Sequence, residues 1–356
     1  MLVWPIKPLD KINMGEEVMK PLVSVIILTF NGREYIGDCL ASVLQQSYPN
    51  FEVIVVDNAS QDYSADIVEQ QFPSVTLIRS HTNVGFPAGN NIGIRASHGE
   101  YVILLNQDTT VTPLWMEELV KVTEQDEQIG ICGSKLLSLH EPQILDRTAQ
   151  LVSPDLIVLG RGRGETDAAQ FEKVEEIFGP SAAAALYRRR MLDEIGLMDE
   201  SYFLCCDDVE LNLKARLAGW KCFYAPKAVA YHAHSVSTGE YSPLKLYYGE
   251  RNRIWNVVTF LPVSMVISSF FFSLHRYLSM VFFALNNKGK KAQAVKKHSL
   301  MKLGFTLIKA WASACWGLPR MMKKRGRIQR KKRVSNRDIK NWLKQYAATL
   351  KEVVEI

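Results

Sequence analysis

Residues 22–28, LVSVIIL, form an unbroken apolar run, and FEVIVVD at 51–57 and EYVILLNQD at 100–108 repeat the pattern with polar segments between them. Runs that are apolar at successive rather than alternate positions predict strands covered on both faces, the environment of a parallel sheet. Between the first two runs, Tyr35, Ile36, Leu40, Val43 and Leu44 recur at helical spacing, so NGREYIGDCLASVLQQS predicts one amphipathic helix. Between the second and third, YSADIVEQQF predicts another helix and VTLIRS a short strand. Strand and helix therefore alternate through about the first 110 residues, as in a βαβ nucleotide-binding half. PLWMEELVKVTEQD reads as a helix opening on proline, and IGICGSKLL as a further strand. The pattern loosens over 140–178, which reads as loops with a short hairpin. It resumes with MLDEIGLMDESYF and DDVELNLKARLAGW as helices and KCFYAPKAVAYH as a strand.

One later segment breaks the soluble pattern. IWNVVTFLPVSMVISSFFFSL, from Ile254 to Leu274, runs 21 residues without a charge, long enough to cross a bilayer. His275 and Arg276 follow it directly, and the 32 residues from Ile254 to Leu285 are too few for two spans, which need roughly 40. An in-plane or shallow re-entrant segment is the expectation. A second crossing within 300–318 would restore two spans, and a helix packed on the body is the plain alternative.

Composition sharpens this contrast. The chain has 356 residues, 47% hydrophobic and 22% charged, which excludes disordered, fibrous and disulfide-scaffold classes. Its net charge of +6 is an average over two unlike parts: residues 288–356 hold 20 Lys and Arg against 3 Asp and Glu, whereas 1–287 hold 23 against 34. The six cysteines show no CxxC or zinc-finger spacing, and the N-terminus lacks a basic start followed by an apolar core. A reduced, cytosolic chain without a cleaved signal is expected.

Candidate chemistry gathers at the predicted strand ends. Thr29, Phe30 and Asn31 follow the first strand and Asp57 and Asn58 the second, where acceptors for a base and ribose would stand; turn formation explains the same residue types. NVGFPAGNNIG at 83–93 lets backbone approach a ligand, but its spacing is not the dinucleotide fingerprint, and no GK[ST] loop occurs. LLNQDTTV ends a strand with Asn106, Gln107 and Asp108, placing a carboxylate where a divalent cation could bridge a diphosphate. His232, with His234 as its rival, could add a ligand or be structural. Asp207, Asp208 and Glu210 open a helix in CCDDVEL; they suit the helix dipole, and their mutual repulsion could also raise a carboxyl toward general-base range.

In this order and spacing, VSVIILTFNGREYIGDCLASVLQQSYPNFEVIVVDNAS, NVGFPAGNNIGI, YVILLNQDT, DESYFLCCDDVELNLKARLAGW, YHAHSVST and YYGERN resemble glycosyltransferase family 2, the inverting enzymes of the GT-A fold, and within it the rhamnosyltransferase-like branch. The resemblance covers about residues 20–260. It implies an α/β nucleotide-diphospho-sugar transferase fold with a mostly parallel central sheet. By position, Thr29, Asn31, Asp57 and Asn58 would bind the nucleoside, and Gly85 and Asn91 would line the donor pocket. Asp108, last of a DxD-type motif whose first position is here Asn106, and His232 would hold Mg²⁺ or Mn²⁺. Asp208 would be the general base with Asp207 its partner, and Arg251 and Asn252 would lie near the diphosphate or acceptor.

The implied organisation is an N-terminal extension (1–20), a catalytic domain (21–253, divided at 110/111 into donor and acceptor halves) and a helical, apolar then basic, membrane-associated region (254–356). The implied reaction moves a single sugar, rhamnose or a related deoxyhexose, from a dTDP- or UDP-sugar to a polyprenyl-diphosphate-linked glycan. A non-catalytic nucleotide-sugar scaffold and a processive synthase are the alternatives. The absence of QxxRW disfavours the synthase. Lys288–Arg333 carries sixteen basic residues and no acid, interleaved with LGFTLIKAWASACWGL; that mixture suits an anionic membrane surface rather than nucleic acid. The expected location is the cytoplasmic face of the cell membrane, peripheral or re-entrant. Oligomeric state is not legible.

Overall fold

The computed structural model describes residues 20–233, 242–285 and 299–355. The N-terminal residues 1–19, His234 and the first part of the basic tail, 286–298, lie outside the described residues.

The apolar runs form strands β1 (Val23–Thr29), β2 (Phe51–Asp57), β3 (Thr76–Arg79) and β4 (Tyr101–Asn106). Helices α1 (Ile36–Leu44), α2 (Ser64–Gln71) and α3 (Phe86–Ala96) connect them. β1 pairs in parallel with β2 and with β4, and β2 with β3, so this half has the order β3-β2-β1-β4. Alternate residues of β1 feed separate cores: Val23, Val25 and Ile27 pack with α1, while Ile26 packs on the α3 side. Burial on both faces explains why these strands read as unbroken apolar runs.

Beyond β4 come β5 (Thr109–Val111), α4 (Trp115–Thr123), β6 (Ile129–Ser138), β7 (Leu145–Arg147), the antiparallel pair β8 (Gln150–Val152) and β9 (Val158–Gly160), and β10 (Glu175–Glu176). A strand not expected from the pattern, β11 (Ala184–Arg188), enters between β4 and β6, antiparallel to both. Its small residues let it sit wholly buried, but alanine carries little strand propensity, so AAALYR gives no signal of its own. Then follow α5 (Arg189–Ile195), α6 (Asp207–Leu217) and the long β12 (Lys221–His232), which runs parallel to β6. The helix expected over MLDEIGLMDESYF ends at Ile195, at Gly196 with φ +80°, and a separate 3₁₀ turn forms at Glu200–Tyr202. The result is an α/β fold with a mixed, mostly parallel sheet.

Helix α7 (Pro243–Phe260) runs through the expected domain boundary at 253/254. The uncharged stretch from Ile254 is divided at Pro262: its first part ends α7 with Trp255, Val257 and Phe260 buried, and the rest begins α8 (Val263–Leu285). α9 (Leu300–Lys331) packs along α7, followed by α10 (Asn336–Gln345), opened by a Ser335–Asp338 capping box, and α11 (Leu350–Glu355). Ile339 and Tyr346 join Phe178, Val209, Leu213 and Phe260 in one core cluster, so the C-terminal helices pack on the body. Among the described residues no helix is long and apolar enough to cross a membrane.

Candidate active site

The carboxyl ends of β1, β2 and β4, the loop before α6 and the end of β12 surround a cavity of about 570 Å³, a size typical of small-molecule sites (roughly 300–1,000 Å³). Asn58, Gly85, Asn106, Asp108, Asp207, Asp208 and His232 line it, together with the cations Arg147 and Lys245. Crossover connections bring strand ends that are far apart in sequence to one edge of the sheet, which is where ligands bind in open α/β folds.

On the donor side, Asn58 Oδ1 accepts from Val84 N at 2.9 Å, and its amide donates to Asn83 Oδ1 at 3.0 Å. This ties the end of β2 to the segment before α3. Gly85 has φ +86°, and a β-carbon there would come within 2.5 Å of the Phe203 carbonyl oxygen, so both conformation and space require glycine. Much of NVGFPAGNNIG is therefore the first turns of α3 rather than a loop ahead of it. Thr29, Asn31 and Asp57 stand at the same strand ends but do not line the cavity. The Thr29 hydroxyl donates to Gln107 Oε1 at 2.6 Å, Asn31 Oδ1 accepts from Gln61 N at 2.9 Å, and the Asp57 carboxylate accepts from Ser60 N at 3.3 Å. Asn91 was expected in the donor pocket. Its buried amide instead donates to Met198 O at 2.9 Å and Glu200 Oε1 at 3.0 Å, because its position on α3 faces the 3₁₀ turn.

Asp108 and His232 come together as the sequence suggested. β5 pairs with β12 so that His232 lies opposite Thr109, and His232 Nε2 lies 3.4 Å from Asp108 Oδ1. The other ring nitrogen, Nδ1, lies 2.9 Å from Asp146 Oδ2. Burial alone would lower the imidazole pKa, but hydrogen bonds to the two carboxylates raise it to about 9. Asp146 sits in β7 within the stretch read as loops. The only sequence clue was a charged residue beside Leu145 in a short apolar alternation. With Nδ1 committed to Asp146, Nε2, once a cation displaces its proton, and the Asp108 carboxylate form an N,O donor pair suited to a divalent cation. Among the described residues no cluster of three or more His, Cys, Asp or Glu side chains forms a metal site, so a bound ion would need further ligands from diphosphate or water.

The acid pair opens α6. Asp208 Oδ2 accepts from Gln150 Nε2 at 2.8 Å and Oδ1 from Val209 N at 2.8 Å, and Gln150 is itself held by Asn212 at 3.0 Å. Burial raises the Asp208 carboxyl above its ordinary range, against the opposing pull of Arg147 and backbone donors. Burial, then the neighbouring Asp208 charge, pushes Asp207 up to about 8. Gln150 and Arg147 lie in the region whose course the sequence left open.

The loop that delivers these acids is strained. Phe203, Cys205 and Cys206 all have φ near +60° without being glycine. Arg251 and Asn252 hold it. The Arg251 guanidinium donates to Ser201 O and Tyr202 O at 2.9 Å and stacks over Trp255, while the Asn252 amide reaches Tyr202 O, Leu204 O and Cys205 O at 2.8–3.0 Å. Arg251, expected near the diphosphate, is buried with its donors on loop carbonyls and does not line the cavity.

The sequence profile described as Glycosyl transferase family 2 matches residues 24–196. An "O-antigen biosynthesis protein RfbC" of Myxococcus xanthus is 27% identical over 226 residues, 61% of this chain and 18% of that protein. A "Putative teichuronic acid biosynthesis glycosyltransferase TuaG" of Bacillus subtilis is 38% identical over 92 residues, 25% of this chain and 36% of that protein. These alignments thus span well under half of the relatives' own lengths. Among solved structures, the crystal structure of GalNAc-T7 with UDP, GalNAc and Mn²⁺ superposes with a TM-score of 0.55 at 16% identity, covering 67% of this chain and 48% of that one. That likeness establishes a shared GT-A-like fold.

Proposed function

Residues 24–196 form a glycosyl transferase family 2 domain, and from that premise we propose that the chain is an inverting glycosyltransferase of surface-polysaccharide synthesis. One observation carries the reading: Asn58 and Gly85, the Asp108–His232 pair and the Asp207–Asp208 pair converge on a single cavity. The donor is a nucleotide sugar. The finer assignment is transfer of one rhamnose or related deoxyhexose from a dTDP- or UDP-sugar to a polyprenyl-diphosphate-linked glycan at the cytoplasmic face of the membrane. Asp108 and His232 would hold Mg²⁺ or Mn²⁺, which would supply charge compensation at the leaving diphosphate.

The chain's own groups do the rest. Asp208, oriented by Gln150, takes the proton of the acceptor hydroxyl as that oxygen attacks the anomeric carbon from the face opposite the diphosphate, and the configuration inverts. Asp207, raised by burial, stays close to neutral and does not add a second full charge beside the base. Arg147 and Lys245 are the cationic side chains placed to meet the donor's phosphates or an anionic acceptor. Arg251 and Asn252 act as positioning residues, holding the loop in the conformation that presents the acid pair.

A panel of dTDP-, UDP- and GDP-sugars, screened by thermal unfolding with and without Mn²⁺, tests the donor assignment. A cognate donor at about 100 times its Kd is expected to add about 2.7 kcal/mol of stability. That gain should shrink when metal is withheld. A panel that gives no stabilisation with metal present overturns the nucleotide-sugar reading.

Asp146 provides a second check. Its hydrogen bond fixes which nitrogen His232 presents to the cavity. Asp146→Ala is expected to weaken Mn²⁺ binding by roughly 10–100-fold, as loss of a partner behind a metal-ligating histidine does. Titration of free Mn²⁺ by electron paramagnetic resonance reads this without turnover. Unchanged affinity removes Asp146 from the site.

A further inference from the structure

Helices α8 and α9 turn many of their large apolar residues outward. On α8 the buried positions are polar: Ser269 donates to Pro154 O at 2.6 Å, Ser273 to Asp155 Oδ2 at 2.8 Å, and Arg276 to the same carboxylate at 2.9 Å. The opposite stripe, Val263, Ile267, Phe270, Phe271, Leu274 and Leu278, is exposed. Beyond its first turn, where Met265 and Val266 pack on the body, α8 reverses the usual amphipathic arrangement, in which the apolar face meets the body. In the first half of α9 the packed positions are small: Ala310 and Ala314 are buried, and Gly317 lies against the Trp255 ring, whereas further along Met321 is buried and Ile328 packs on the body. Met301, Phe305, Ile308 and Trp316 face outward, with Met301 85% and Trp316 90% exposed.

The two stripes meet. The Tyr277 and Trp311 rings make an edge contact at 5.3 Å, and each has a member of its stripe one turn away, Leu274 on α8 and Ile308 on α9. A contiguous apolar surface on two helices marks an interaction site rather than ordinary surface.

Charge selects the partner. Neither helix contains an acidic residue, and α9 alone carries nine Lys and Arg. Lys302, Lys309, Lys323, Arg327 and Arg330 are exposed, and the Lys309 ammonium lies 4.5 Å from the centre of the Phe305 ring. A second copy of the chain docked isologously would bring this cationic surface against itself. An apolar layer bordered by anionic groups satisfies both features. We infer that the joined α8–α9 face docks in the plane of an anionic lipid bilayer, its aromatic and aliphatic side chains at the acyl boundary and its cations among the headgroups. The inference rests on the lipid-carried acceptor of the proposed function only for its purpose, because docking is measured without any sugar.

The experiment uses the full chain and phosphatidylcholine vesicles with or without a third phosphatidylglycerol. Flotation is expected to be at least about tenfold stronger with the anionic vesicles and to weaken in high salt. The Phe270→Glu/Phe271→Glu and Phe305→Glu/Trp316→Glu pairs should each lower binding about tenfold or more. Their melting temperatures, and their stabilisation by nucleotide, should match the parent. The inference is overturned if the parent floats with neither vesicle, if both pairs float like the parent, or if light scattering shows a parent dimer that either pair dissociates. A failure of glycosyl transfer with docking intact would instead count against the proposed function alone.

Discussion

Asp208→Asn is expected to lower sugar transfer by roughly 10²–10⁴-fold, the usual contribution of a positioned general base, while nucleotide binding stays within about twofold. The change is nearly isosteric, and the asparagine carbonyl can still accept from Val209 N, which now lies 2.8 Å from Asp208 Oδ1. What is lost is the basic oxygen that Gln150 aims toward the cavity. Transfer rates, set beside calorimetric titration with the nucleotide, separate the two effects. In the parent, burial raises the Asp208 carboxyl, so ionisation and activity should rise with pH along a limb above the ordinary carboxylate range. In Asp208→Asn the residual rate should lack that limb. Near-normal turnover in this variant would move the base elsewhere, first to Asp207.

Asp155→Ala is expected to destabilise the fold by roughly 3–5 kcal/mol, the cost of leaving a buried counter-charge without its partner. Asp155 lies in the β8–β9 connection, fully buried, with Arg276 Nε of α8 at 2.9 Å and Arg253 NH1 of α7 at 3.3 Å. Ser153 and Ser273 donate to the same carboxylate at 2.6 and 2.8 Å. After the substitution only Glu250 would face both guanidinium groups. Burial works against ionisation here, yet the arginines and serines hold the Asp155 carboxyl below its ordinary value. Its contribution should therefore be complete above the ordinary aspartate range and fade only as pH falls through the depressed native value. Urea unfolding at neutral pH measures the effect. A loss below about 1 kcal/mol would mean that water or Glu250 compensates, and the cluster would not be what fastens α7 and α8 to the body.

Some of this architecture was readable in advance for a local reason. β1, β2 and β4 are covered on both faces, so each needs consecutive apolar residues, and α1 needs apolar residues at helical spacing. Both requirements sit in neighbouring positions of the chain. The acid pair of α6 was visible in the same way, because Asp207 and Asp208 are adjacent and stand in the first turn of a helix. β11 was not visible: its alanines favour no strand, and it becomes one because β4 and β6 leave a narrow antiparallel slot between them. Gly85 was noticed in a segment where backbone could approach a ligand, but the carbonyl that forbids a side chain there belongs to Phe203.

The amino-acid order by itself determined the alternating α/β pattern, the acids and histidine available to the site, and the division into an acidic body and a basic tail. Tertiary structure alone decided which groups meet: Asp146 with His232 across 86 residues, Gln150 with Asp208 across 58, and Arg251 with loop carbonyls rather than with the cavity. It also decided which face of the uncharged stretch is covered, burying Trp255 and Phe260 and leaving Phe270 and Phe271 outside. The physical reason is the range of the forces that leave a mark on sequence. Helical and strand periodicity record burial over a few residues. A hydrogen bond between distant segments depends on the path of the whole chain and constrains only the two residues that make it.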